Sequence, residues 1–105
     1  MSASADITVE RTIEPGHPAF AGHFPGAPVL PGACVLALVL QAAEQHASLR
    51  EALGAHTAVP QVKFLAPVGP GSRLVIALRR GAAGVGFEVR SGETLIARGQ
   101  LAPAA

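Results

Sequence analysis

The sequence predicts an α+β domain in which an antiparallel sheet covers one long apolar helix. Three observations predict it. Leu30 to Arg50 is an extended apolar run at helical spacing. After it, four short segments alternate apolar and polar residues and are separated by Gly- and Pro-containing turns. One more alternating segment precedes the helix. The order is therefore strand, helix, then consecutive strands, which is the signature of α+β rather than of repeated βαβ units.

Each element has a local reason. Ile7-Thr8-Val9-Glu10-Arg11-Thr12-Ile13 alternates and is rich in β-branched residues, so it reads as a strand with one buried face. Glu14-Pro15-Gly16-His17-Pro18 breaks it, and Ala19-Phe20-Ala21 follows as a short apolar turn. Pro31-Gly32 opens the helix, which closes before Gly54. A helix this apolar must be covered on most of its sides. Pro60 and Pro67 bracket a second strand, Gln61 to Ala66. Pro70-Gly71 turns into a third, Ser72 to Arg80, with Leu74, Ile76 and Leu78 on one face. Gly81-Ala82-Ala83-Gly84 connects to a fourth, Val85 to Arg90. Ser91-Gly92-Glu93 turns into a fifth, Thr94 to Leu101. Residues 102–105 are expected to fray. With no repeat and no linker, residues 1–105 are expected to form a single domain.

Composition narrows the function. Half the residues are hydrophobic and mean hydropathy is +0.40, more apolar material than a lone small domain hides. Part of the core is therefore expected to be shared between subunits. A net charge of +1 gives no electrostatic footprint for nucleic acid, and four Phe with no Tyr or Trp make a poor base-stacking platform. Cys34 is the only cysteine, which excludes an intrachain disulfide and a Cys-rich zinc site. No His pair has metal-ligand spacing, and no glycine loop leads into a helix with a following Lys. The first residues lack the basic and apolar regions of a signal peptide. Gln41, Glu44 and Gln45 stop the apolar run short of the roughly 20 residues that span a membrane. No membrane association is expected, and the expected compartment is the cytoplasm.

Chemistry concentrates before the helix. In Ala21-Gly22-His23-Phe24-Pro25-Gly26-Ala27-Pro28-Val29-Leu30-Pro31-Gly32, three prolines fix the backbone and three glycines permit tight bends and close approach. Gly32 falls in the helix's first turn, where N–H groups lack partners and the dipole favours negative charge. The loop delivers an imidazole, His23, and the helix end delivers N–H donors, a combination suited to a carbonyl. Spacing alone leaves a plain connection equally open.

The run GHFPGAPVLPG resembles the signature of the 3-hydroxyacyl-ACP dehydratases of the hotdog fold. Residues 62–74, VKFLAPVGPGSRL, are similar to the strand-turn-strand that follows the helix in that family. The resemblance implies a curved antiparallel sheet around a central helix, and dehydration of acyl-ACP thioesters to trans-2-enoyl products in fatty-acid or polyene-type synthesis. It implies His23 as base and the Gly32 N–H as donor to the thioester oxygen. A tunnel at a dimer interface would be lined by His23, Phe24, Val29, Leu30, Gly32 and Phe64, with Cys34 and Gln41 also expected to bind substrate. The implied partners are an acyl carrier protein bearing a phosphopantetheine-linked chain and a second hotdog subunit, identical or different. Eliminating water needs no cofactor.

One position departs from the family. The family carries an acid on the helix five residues after the Pro-Gly glycine and commonly a Gln four further on. Here those positions are Ala37 and Gln41. A positioned general acid contributes about 10²–10⁴-fold, so its loss matters. His23 acting twice, an acid from a partner subunit, Glu44 through a water relay, Cys34 and His17 are the substitutes the sequence offers. A non-catalytic subunit of a heteromeric dehydratase is the alternative reading, and a hotdog thioesterase a further one. Lys63, Arg73, Arg79 and Arg80 are candidates to meet an acidic carrier protein or a phosphopantetheine phosphate, with solvated strand charges the simpler account for at least half of them.

Overall fold

The computed structural model describes residues 6–20 and 29–104. Alternation becomes five strands in one antiparallel sheet: β1 (Ile7–Thr12), β2 (Thr57–Phe64), β3 (Arg73–Gly81), β4 (Gly84–Ser91) and β5 (Thr94–Pro103). Their order across the sheet is β1-β3-β4-β5-β2. Leu74, Ile76 and Leu78 of β3 face one side, as do Val85, Phe87 and Val89 of β4 and Ala97 and Leu101 of β5, and all are buried. The intervening residues turn outward, as a period of two requires.

The buried face meets two helices rather than one. The single helix expected over residues 30–50 is divided into α1 (Gly32–Glu44) and α2 (Ala47–Leu53). Gln45 ends α1 by donating its N–H to Gln41 O, and His46 is extended, at φ −122° and ψ 119°. The break re-aims the following turn so that Leu49 and Leu53 reach the core. The Arg50 guanidinium donates to the Glu44 carbonyl at 2.8 Å, satisfying one of the acceptors that the end of α1 exposes. Val35, Val39, Ala42 and Ala43 are the buried residues of α1. Leu36, Leu38 and Leu40 are only half-buried, so the helix is covered on one side and not on most.

Strand β2 begins four residues earlier than Pro60 suggested. Pro60 is tolerated because β2 is an edge strand and carries a register shift against β5 between Ala58 and Gln61. A proline missing from the ladder is harmless at such a place. The longer β2 also holds the residues expected to fray: Ala102 and Pro103 pair with Ala58 and Thr57, and Ala104 donates its N–H to the His56 carbonyl at 2.8 Å. A second irregularity gives β5 one extra residue, Ile96, between the pairs Val89–Ala97 and Arg90–Leu95. Such bulges bend a strand and re-aim a side chain. Here the result is that Ile96 and Ala97 are both buried.

Candidate functional site

The bulge at Ile96 builds one wall of a cavity. The Ile96 carbonyl accepts from the N–H groups of Leu65 at 2.8 Å and Ala66 at 3.3 Å, which holds the segment after β2 beside the sheet. Leu30 donates its N–H to the Val68 carbonyl at 2.7 Å, tying the approach to α1 onto the same segment. Between these two clasps lies a cavity of about 410 Å³, lined by Val29, Leu30, Gly32 and Val35 on one side and by Phe64 through Val68 with Ile96 on the other. Its lining side chains are all apolar.

Phe64 lies over the head of the helix. A Cβ built on Gly32 would stand 3.0 Å from two atoms of the Phe64 ring, so glycine is what allows the aromatic ring to approach. Pro31 caps α1 at φ −58° and ψ 145°, with no side-chain cap and no acid in the first turn. The positive end of the helix dipole thus adjoins the cavity without a carboxylate of that turn to offset it. Val29, Phe64 and Leu65 are the exposed large hydrophobic residues among those described, and all three line this cavity.

Four of the expected site residues come together here: Gly32, Val29, Leu30 and Phe64. His23 and Phe24 lie outside the described residues. Cys34 does not line the cavity; it is half-buried and packs against the core. Gln41 is exposed and lies with Ala37, Leu38, Leu40 and Glu44 beside an open depression on the far side of α1. Sequence reasoning missed Val35, Leu65, Ala66, Pro67, Val68 and Ile96. Val35 follows Gly32 by one helical turn and was available from periodicity. Val68 and Ile96 arrive through a loop-to-loop hydrogen bond and a bulge, which no local pattern announces. Among the described residues, no three His, Cys, Asp or Glu side chains gather into a metal-holding group. No described helix is long and apolar enough to cross a membrane.

This sheet order, with the helices laid on its apolar face and a cavity at the head of α1, defines a hotdog-fold protein. The chain belongs to the ApeI-like dehydratase family, whose model, described as ApeI dehydratase, matches residues 1–100. It is similar to the 3-hydroxyacyl-[acyl-carrier-protein] dehydratase FabZ of Chlamydia trachomatis, 33% identical over 78 residues, covering 67% of this chain and 50% of that protein. The FabZ of Thiobacillus denitrificans is 32% identical over 77 residues, covering 67% and 53%. The chain thus spans about half the length of these curated relatives. Among solved structures, the dehydratase heterocomplex ApeI:P from Xenorhabdus doucetiae superposes with a TM-score of 0.72 at 22% identity, covering 95% of this chain and 89% of that one. The fluoroacetyl-CoA thioesterase FlK gives a TM-score of 0.60 at 18% identity, covering 97% and 87%. At these identities the two structures speak to the fold alone.

Proposed function

We propose that the protein dehydrates 3-hydroxyacyl chains carried by acyl carrier protein, giving trans-2-enoyl thioesters, as one subunit of a cytoplasmic hotdog dimer. The observation that carries this reading is the apolar cavity opening on the N-terminus of α1 at Gly32, in a chain of a dehydratase family. The cavity suits an aliphatic chain. The helix end suits the thioester oxygen, which gains negative charge as the C2 proton leaves. In this reading His23 takes that proton as a neutral imidazole, and the Gly32 N–H donates to the oxygen. The C3–O bond then breaks, and a protonated group returns a proton so that water departs.

The second proton transfer has no obvious owner on this chain. Ala37 stands where the family resemblance places an acid. Glu44 is roughly 10 Å further along the axis at about 1.5 Å per residue, on the face of α1 away from the cavity. This favours a second reading, in which the chain is the binding or non-catalytic half of a heteromer and a different hotdog subunit supplies the acid. The Xenorhabdus doucetiae neighbour is a dehydratase heterocomplex, which suits that reading. A thioesterase would also need a carboxylate, which Ala37 withholds equally.

Purified protein given a 3-hydroxyacyl-ACP, with the enoyl thioester followed by mass, separates the readings. Turnover by the chain alone, reduced at least about 100-fold in His23→Ala, supports the enzyme. Turnover appearing only with a second hotdog subunit supports the heteromer. Release of free acid and carrier thiol would overturn both. Ala37→Glu is expected to raise the rate of the chain alone if the rest of the site is intact.

A further inference from the structure

The α1 cavity has a mouth and a floor. Val29, Phe64 and Leu65 are its exposed lining residues of large side chain, whereas Leu30, Val35, Val68 and Ile96 are each only 2% or 3% exposed. The floor is closed. Of α1, only Gly32 and Val35 line the cavity, and Val39, the next inward residue of that helix, is fully buried. Of β5, only Ile96 lines it, and the adjacent Ala97 is fully buried. An aliphatic chain that follows α1 inward from Gly32 therefore meets packed core after roughly one helical turn, about 5 Å.

Ile96 owes its place in that floor to the bulge. Strict alternation from Leu101 and Ala97 would send residue 96 to the outer face of the sheet. The extra residue in β5 turns it inward beside Ala97 instead. Its carbonyl meanwhile accepts the N–H groups of Leu65 and Ala66, which pins the adjoining wall. One residue thus closes the cavity with its side chain and holds the wall with its backbone. Because the wall hangs on the carbonyl, shortening the side chain deepens the cavity without releasing the wall.

We propose that Ile96 sets the length of acyl chain that the cavity accepts, its side chain meeting the methyl end of the bound chain. The inference rests on the reading of this cavity as an acyl site. It needs neither the missing acid nor turnover, so it applies equally to a dehydratase and to a subunit that only holds the acyl chain.

Amide analogues of saturated acyl-pantetheine, graded in chain length and resistant to hydrolysis, test it when titrated into isotope-labelled protein and followed by backbone amide shifts. Each methylene buried is expected to tighten binding about fourfold until the acyl chain meets the floor, after which affinity levels off. In Ile96→Val the levelling-off moves out by about one carbon, and in Ile96→Ala by about two to three, matching the carbons removed. Val29→Ala, at the mouth, leaves it in place. Ile96→Val, the smaller loss of core volume, carries the test if Ile96→Ala does not fold. Affinity that rises with length without levelling off, or a limit that both Ile96 variants leave in place, overturns the role of Ile96 while the acyl site stands. No saturable binding at any length overturns the acyl reading together with it.

Discussion

At the scale of single residues, two glycines on the sheet's inner side do different work. Gly32 faces the end of an exposed aromatic ring, which can swing aside. Gly99 faces backbone: a Cβ there would lie 2.3 Å from the Gln61 carbonyl oxygen and 2.8 Å from the Phe87 ring. Neither neighbour can yield without separating β5 from β2 or displacing a buried aromatic ring. Gly99→Ala is therefore expected to destabilise the fold by about 2 kcal/mol or more, within the range for overpacking. For a domain of this size that lowers the melting temperature by roughly 10 °C. Gly69→Ala, where a Cβ meets nothing within 4 Å, is the control and should melt within about 2 °C of the parent, as for other surface changes. Calorimetry on the two variants checks both. The same contrast explains why the sequence revealed Gly32 as special and Gly99 not. Gly32 sits in a recognisable Pro-Gly helix start, whereas Gly99 matters only because Phe87 and Gln61, from two other strands, cross over it.

At the scale of elements, strands were more legible than helices. Each strand announces itself through period-two alternation, and the turns at Pro70-Gly71 and Ser91-Gly92-Glu93 carry their own residue chemistry. The division of the helix does not: Gln45, His46, Ala47 and Ser48 contain neither Pro nor Gly. What decides it is tertiary, the gain from setting Leu49 and Leu53 against the sheet. Leu49 is fully buried, so Leu49→Ala should cost about 2–5 kcal/mol. The Arg50–Glu44 hydrogen bond is exposed, and removing it with Arg50→Met should cost about 1 kcal/mol or less. Urea unfolding midpoints measure both. If Arg50→Met proved the more damaging, the break would be held by the cap and not by the leucines.

At the scale of the whole molecule, three features converge on one edge. Strand β2 ends the sheet with an unpartnered side. The exposed Val29, Phe64 and Leu65 lie at its C-terminal end. Six of the ten apolar residues of α1 are not buried, in keeping with a composition that holds more apolar surface than one small domain hides. An open strand edge with apolar residues beside it invites pairing, and isolated proteins normally blunt such edges. The chain is accordingly expected to associate through β2, with a mass by light scattering of at least twice the 10.6 kDa monomer. Leu65 is 47% exposed and belongs to no strand. Leu65→Asp therefore sets a charge into the contact without touching the core, and should give a folded monomer. The same substitution should depress any dehydratase activity, because the cavity that Leu65 helps to line would then open to water. A wild-type chain that stays monomeric alone, but doubles its mass when a second hotdog subunit is added, would assign the edge to a different partner. A monomer under both conditions would refute association through β2 altogether, leaving the apolar mouth of the cavity to be covered by the substrate itself.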